Sequence, residues 1–126
     1  MNSGCVTTKR IVVCDDDQDI CDFLKFLLTQ AGYEVLIASG HQELLVHVTQ
    51  SNPHLVLLDI RMPDSDGFLT AETLRRKGHK QPIIFMSAHD NHFSRLYSRS
   101  VGAAGYFKKP FDNEALLVSI QKTLEA

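Results

Sequence analysis

The stretch HLVLLDIRMPDSDGF, residues 54–68, decides how this chain folds. Four apolar residues, Leu55, Val56, Leu57 and Leu58, run without a break into Asp59. A short continuous run of this kind is how a strand reads when both of its faces are covered. The acid then needs a reason to be there, because burying an unpaired carboxylate costs several kcal/mol.

Working outward, four more apolar runs match the first. They are IVVC (11–14), VLIA (35–38), IIFM (83–86) and GYF (105–107). Helical patterns separate them. Ile20, Phe23, Leu24, Leu27, Leu28 and Ala31 follow helical spacing closely, and Gly32 is placed to stop that helix. Ser39 with Gln42 resembles a capping box for a second helix carrying Leu44, Leu45 and Val48, ended by SNP at 51–53. A third helix starts after Asp66 and uses Phe68, Ala71 and Leu74. A fourth, around 91–101, carries Phe93, Leu96 and Tyr97. A fifth follows Pro110, with Asp112 as N-cap and Leu116, Leu117, Ile120 and Leu124 facing in. Five βα units in succession predict an α/β fold, with a parallel sheet covered by helices on both faces.

The bulk properties fit that reading. A chain of 126 residues suits one compact domain. Its 44% hydrophobic and 22% charged content are ordinary for a soluble protein. No run approaches the roughly 18 apolar residues of a membrane span. The start, MNSGCVTTKR, lacks an apolar signal core, so a cytoplasmic location is expected. A formal charge of −2 gives no reason to expect nucleic-acid binding. Cys5, Cys14 and Cys21 follow no metal-binding spacing and read as reduced thiols, with Cys14 in the core. The expected division is a short tail, residues 1–8, and a domain over 9–126.

In an open parallel sheet, ligands gather beyond the carboxyl ends of the strands. The residues that fall there carry the chemistry. Asp15, Asp16 and Asp17 follow the first strand, Asp59 the third, Ser87 closes the fourth, and Lys108, Lys109 and Pro110 follow the fifth. Crowded carboxylates repel unless a cation sits among them. Hard oxygen ligands without clustered thiols favour Mg²⁺ or a similar ion. His89 and His92 stand three apart with no third ligand beside them, so a histidine metal site is not indicated. A lysine and a hydroxyl near the acid suit a transferred phosphoryl group, with the carboxylate as nucleophile.

Taken together, IVVCDDDQDI, PHLVLLDIRMPDSDG, PIIFMSAHD and GAAGYFKKPF resemble the receiver domain of two-component response regulators, over about residues 9–125. The resemblance implies a flavodoxin-like doubly wound sheet of strand order 2-1-3-4-5. It implies that Asp59 accepts a phosphoryl group from a sensor histidine kinase or phosphotransfer protein. Asp15, Asp16, Asp59 and the backbone carbonyl of Arg61 would hold Mg²⁺ or Mn²⁺, with Asp16 the more direct of the acidic pair. Ser87 and Lys109 would bind the phosphoryl oxygens, and Ser87 with Tyr106 would form the switch. Pro63 and Gly67 would shape the loop after the acid. Arg61 and His89, two residues past Asp59 and Ser87, would flank the phosphate and tune its lifetime. A face made of the fourth helix, fifth strand and fifth helix, with Arg95, Arg99, Tyr106 and Lys108, would meet an output domain, a target or a second copy. Such a domain catalyses only its own phosphorylation and dephosphorylation.

The strongest rival is a haloacid-dehalogenase-like phosphatase, which also uses an Asp after its first strand. Asp15 and Asp17 have DxD spacing, but Asp19 stands where Thr or Val is usual, and 126 residues leave no room for a cap. A flavin-binding module is disfavoured because DDDQD would repel a phosphate. A scaffold with an idle acid pocket is the third alternative.

Overall fold

The computed structural model describes residues 8–62, 65–89 and 91–126. Among the described residues, seven strands and five helices follow one another. They are β1 (Arg10–Cys14), α1 (Gln18–Gln30), β2 (Glu34–Ala38), α2 (His41–Ser51), β3 (Leu55–Asp59), β4 (Arg61–Met62), β5 (Ser65–Asp66), α3 (Gly67–Arg76), β6 (Ile83–Ser87), α4 (His92–Ser100), β7 (Gly105–Lys108) and α5 (Asn113–Glu125). Five strands form one parallel sheet in the order β2-β1-β3-β6-β7. Counting that sheet alone, the order is 2-1-3-4-5, as the resemblance implies. The two-residue β4 and β5 pair only with each other, antiparallel, in a small ladder after β3 that the sequence reading does not include.

The alternation of side chains along each strand divides the core into two layers. Val12, Cys14, Val56, Leu58, Ile83 and Phe85 pack with Leu44 and Val48 of α2 and Ala71 and Leu74 of α3. Ile11, Val13, Leu55, Leu57, Ile84 and Met86 pack with Cys21, Leu24 and Leu28 of α1 and Leu116 and Ile120 of α5. Every residue of β3 and β6 is buried. Each such apolar side chain is worth about 1.5–3 kcal/mol, so a one-residue slip of register would be prohibitive. The register therefore fixes which residues emerge together at the carboxyl edge.

The helix ends explain the local folding. Asp17 caps α1 by accepting from the amides of Asp19 and Ile20. Gly32 closes it at φ +97, with Gly32 N–H donating to Thr29 O and Tyr33 N–H to Leu28 O. That left-handed turn is costly for any residue with a Cβ. Asp66 and Asp112 cap α3 and α5 through Phe68 N–H and Ala115 N–H. The capping box expected from Ser39 and Gln42 is different in detail. Glu43, not Gln42, reaches back to Ser39 N–H at 2.7 Å, and the residue before the helix is Gly40.

Two expectations about depth also change. Phe23, placed on the inward face of α1, is 41% exposed. On α4 only Ser98 is buried, while Phe93 (80%), Leu96 and Tyr97 are exposed. The helical spacing on α4 is real, but its apolar face is not covered by the core.

Candidate functional site

β1, β3, β6 and β7 deliver the site. Asp15 N–H donates to Ala38 O, which extends the β1–β2 pairing by one step and turns the Asp15 carboxylate into the interior, 1% exposed. Its Oδ1 accepts from Asp17 N–H at 3.0 Å, and its Oδ2 accepts from Lys109 Nζ at 2.5 Å. Asp16 beside it is exposed. Asp59 ends β3 and is buried; its Oδ1 lies 3.5 Å from Lys109 Nζ. Lys109 is held in turn by its own amide, which donates to Ser87 O at 2.7 Å.

The charges are unevenly matched. Lys109 lies closer to Asp15 than to Asp59, so Asp15 takes most of its neutralisation. Burial opposes the Lys109 charge, but the hydrogen bond to Asp15 and the charges of both acids hold its pKa above the usual lysine range. Asp59 is pushed up to about 7 by burial first and by the Asp15 charge second, while Lys109 and the Arg61 N–H pull it back only in part. This answers the question posed by residues 54–68. The fold tolerates a carboxylate at the end of a buried strand, and leaves it short of positive charge.

Carboxylate oxygens of Asp15, Asp16 and Asp59 lie within 4.8 Å of one another. Such a set fits a hard divalent cation, which would supply the missing charge. Both oxygens of Asp15 already have donors, so the exposed Asp16 offers the freer ligand atoms.

The other expected residues are placed as follows. Ser87 is buried at the end of β6, on the strand next to Asp59. Its hydroxyl donates to His89 O at 3.0 Å and accepts from His89 N–H at 3.1 Å, so it is occupied by its own loop. The side chains of Arg61 and His89 are exposed. Tyr106 is half-buried against the layer that contains Phe85, with the Arg95 guanidinium 4.8 Å from the centre of its ring. Its hydroxyl oxygen is buried and has no hydrogen-bond partner among the described residues, a cost of about 1–3 kcal/mol. The tyrosine is thus already turned inward. Pro63 lies outside the described residues.

Gly67 is more than a turn residue. It opens α3 and donates its N–H to Ile60 O at 2.7 Å. A Cβ there would stand 2.5 Å from Asp59 O and 2.8 Å from Ile60 Cα. The helix can approach the acid's backbone this closely only through glycine.

Three features escaped the sequence reading. Cys21 Sγ donates to Asp15 O at 3.2 Å, and burial followed by the charges of Asp15, Asp17 and Asp22 pushes its thiol up to about 11, so it stays protonated. Asp17, to which the sequence reading gives no direct role, serves as the α1 cap. An apolar cleft of roughly 250 Å³, lined by Ile20, Phe23, Pro110 and Phe111, adjoins Lys109. Only the spacing of Phe23 from Ile20 hinted at this cleft, and the same spacing also describes a core face.

Among the described residues no helix is long and apolar enough to cross a membrane. Residues 11–121 match the family described as the response regulator receiver domain. Similar solved structures include a CheY-like receiver domain protein from Methanospirillum hungatei JF-1, 31% identical, with 94% of this chain and 95% of that one covered and a TM-score of 0.88. The chemotaxis protein CheY4 of Vibrio cholerae is 26% identical, with 93% and 99% covered and a TM-score of 0.87. The BeF3-activated DrrB receiver domain is 26% identical, with 95% and 100% covered and a TM-score of 0.86. The chain belongs to the response regulator receiver domain family of two-component systems, whose members are signalling domains rather than classical enzymes.

Proposed function

We propose that Asp59 accepts a phosphoryl group from a phosphohistidine of a sensor histidine kinase or phosphotransfer protein, and that the added charge drives a conformational switch in residues 9–126. The observation that carries this reading is the pairing of a buried Asp59 with Lys109 at 3.5 Å and two further carboxylates within 4.8 Å. It is supported by the BeF3-activated DrrB receiver domain, since beryllofluoride mimics an acyl phosphate.

In the reaction, an Asp59 carboxylate oxygen attacks phosphorus and the P–N bond to imidazole breaks. The imidazole leaves with the bond's electron pair and takes a proton from solvent. Water later hydrolyses the acyl phosphate. Asp16, Asp59, the Arg61 carbonyl and Asp15 would hold Mg²⁺, or Mn²⁺, which when bound would supply charge neutralisation at the phosphoryl oxygens. Lys109 turns from Asp15 towards the new phosphoryl oxygens. Ser87 leaves His89 O and donates its hydroxyl to the same group. Arg61 and His89 flank it and set how readily water reaches it.

The phosphoryl group adds roughly −1.5 to −2 of charge, by analogy with phosphorylated hydroxyls. Moving Ser87 away from His89 releases the β6–α4 loop, and the unpartnered Tyr106 hydroxyl is the group positioned to respond. The output is a shift between two arrangements of α4, β7 and α5, read by an output domain or target that meets Arg95, Arg99, Tyr106 and Lys108. A second copy of the chain is an alternative occupant of that face. The same reading carries a cytoplasmic location, where a kinase donor of this type presents its phosphohistidine.

Incubation with acetyl phosphate and Mg²⁺, followed by intact-mass spectrometry, tests the reading. A gain of one phosphoryl group, absent in Asp59→Ala and after chelation of Mg²⁺, is the expected result. Label that persisted on Asp15 in Asp59→Asn would favour the dehalogenase-like phosphatase. No label on any residue would leave the scaffold reading. Asp16→Ala should raise the Mg²⁺ concentration needed for half-maximal labelling by roughly tenfold or more. An unchanged requirement would remove Asp16 from the metal site.

A further inference from the structure

A groove of roughly 430 Å³ lies between α3 and α4, lined by Glu72, Arg75, Arg76, Tyr97, Ser100 and Val101. It is distinct from the α4–β7–α5 face. Tyr97 forms one wall and is 46% exposed. Its ring stacks on Phe68 at 4.7 Å and 15°, and Phe68 packs edge-on against Phe85 at 4.9 Å. Its hydroxyl donates to Glu72 at 3.1 Å. The wall is therefore held rigidly by the core while leaving a flat apolar surface open.

The rim is cationic. Arg75 is fixed, donating Nη1–H to His79 O at 3.0 Å. Arg76 is exposed, and the chain continues through Lys77 and Lys80, both exposed. Among the described residues, Arg76, Lys77 and Lys80 have no ion-pair partner. Basic residues in a last helical turn suit the helix dipole. That accounts for Arg75 and Arg76. It does not account for the open aromatic wall that Tyr97 presents beside Arg75 and Arg76.

We propose that this groove is a docking site for an acidic segment of a partner protein, with one apolar or aromatic side chain seated against Tyr97 and Val101. Charge complementarity selects the occupant, because the lining sets two arginines, Arg75 and the exposed Arg76, against one acid, Glu72. Nucleic acid fits less well, since the basic surface is short and the whole chain carries a charge of −2. A membrane surface fits less well, because a concave groove between two helices admits a side chain and not a bilayer.

The test is a titration of the isotope-labelled, unphosphorylated full chain, followed by amide NMR. The probe is a synthetic peptide with one phenylalanine flanked on both sides by glutamates. Amide shifts at Arg76, Tyr97, Ser100 and Val101 are expected, weakened roughly tenfold or more by Arg76→Glu and by replacing the peptide's phenylalanine with alanine. Arg76→Glu should leave acetyl phosphate labelling unchanged, which shows that the variant is folded. Absence of shifts, shifts confined to the α4–β7–α5 face, or equal binding by Arg76→Glu overturns the proposal. So does binding at this groove by a short DNA duplex or by phosphatidylserine vesicles in place of the peptide. Because the protein is unphosphorylated, a failure here is separable from a failure of Asp59 as phosphoacceptor.

Discussion

Replacing Asp59 with asparagine is expected to raise the melting temperature of the metal-free protein at pH 8 by roughly 5–10 °C, and to change it little at pH 4. The direction follows from the site's imbalance. Burial and the Asp15 charge push the Asp59 carboxyl up from 3.8 to about 7 in the folded protein. A group whose pKa rises on folding contributes stability that is complete below its unfolded value and is lost as pH climbs through its folded value. Between about pH 4 and pH 7 the folded chain therefore holds a proton that the unfolded chain has released, and stability falls. The gap between 3.8 and about 7 sets a ceiling of about 4 kcal/mol. Repulsion shared with Asp15 and screening at the solvent-facing rim reduce this to about 2 kcal/mol. Asparagine keeps the shape and never ionises, so it removes the penalty at pH 8 and has nothing to remove at pH 4. Mg²⁺ should reverse the order, stabilising the wild type at pH 8 far more than the variant, because a bound ion adds stability in proportion to its affinity. Thermal melts at the two pH values, with and without Mg²⁺, decide the matter. A variant no more stable than the wild type at pH 8 would mean that Asp59 is not strained by its surroundings.

The same imbalance shows which parts of the molecule can be read from residues and which cannot. Strands buried on both faces leave unbroken apolar runs, so residues 11–14, 55–58 and 83–86 were legible, and with them the edge at which Asp15, Asp59, Ser87 and Lys109 emerge. The stop at Gly32 was legible because only glycine takes that turn cheaply. Depth was not. Phe93, Leu96 and Tyr97 have the spacing of a core face, yet α4 leaves them outside. Periodicity reports that a face is apolar, and is silent on whether the core covers it. The β4–β5 ladder is two residues long on each side, too short to carry any period. Distances within the site were also hidden. Sequence placed Lys109 near two acids, but its closer approach to Asp15 at 2.5 Å is set by the β6–β7 register and the Lys109 to Ser87 backbone bond. Cys21 read only as a reduced thiol because its bond is to a backbone oxygen, which no side-chain pattern encodes.

Gly67→Ala should cost about 3 kcal/mol, lower the melting temperature by roughly 10 °C, and slow labelling by acetyl phosphate roughly tenfold or more at temperatures where the variant is still folded. The added methyl group would meet Asp59 O at 2.5 Å and Ile60 Cα at 2.8 Å. Neither atom can swing aside as a flexible side chain would. Asp59 ends a fully buried strand, and the next residue is pinned by Ile60 N–H to Met86 O at 3.0 Å and by Gly67 N–H to Ile60 O at 2.7 Å. Relief must come from moving α3 outward or from shifting the segment that carries the acid itself. Either movement changes the position of the Asp59 carboxylate relative to Lys109, which is why function should suffer beyond the loss of stability. Gly78→Ala is the control. Gly78 has φ +88 and nothing within 4 Å of an added Cβ, so its substitution brings only left-handed strain of about 1 kcal/mol, far from the acid. Thermal melts and labelling rates for the two variants separate the effects. If Gly67→Ala proved as mild as Gly78→Ala in both, the close contact between α3 and the end of β3 would not be what positions Asp59.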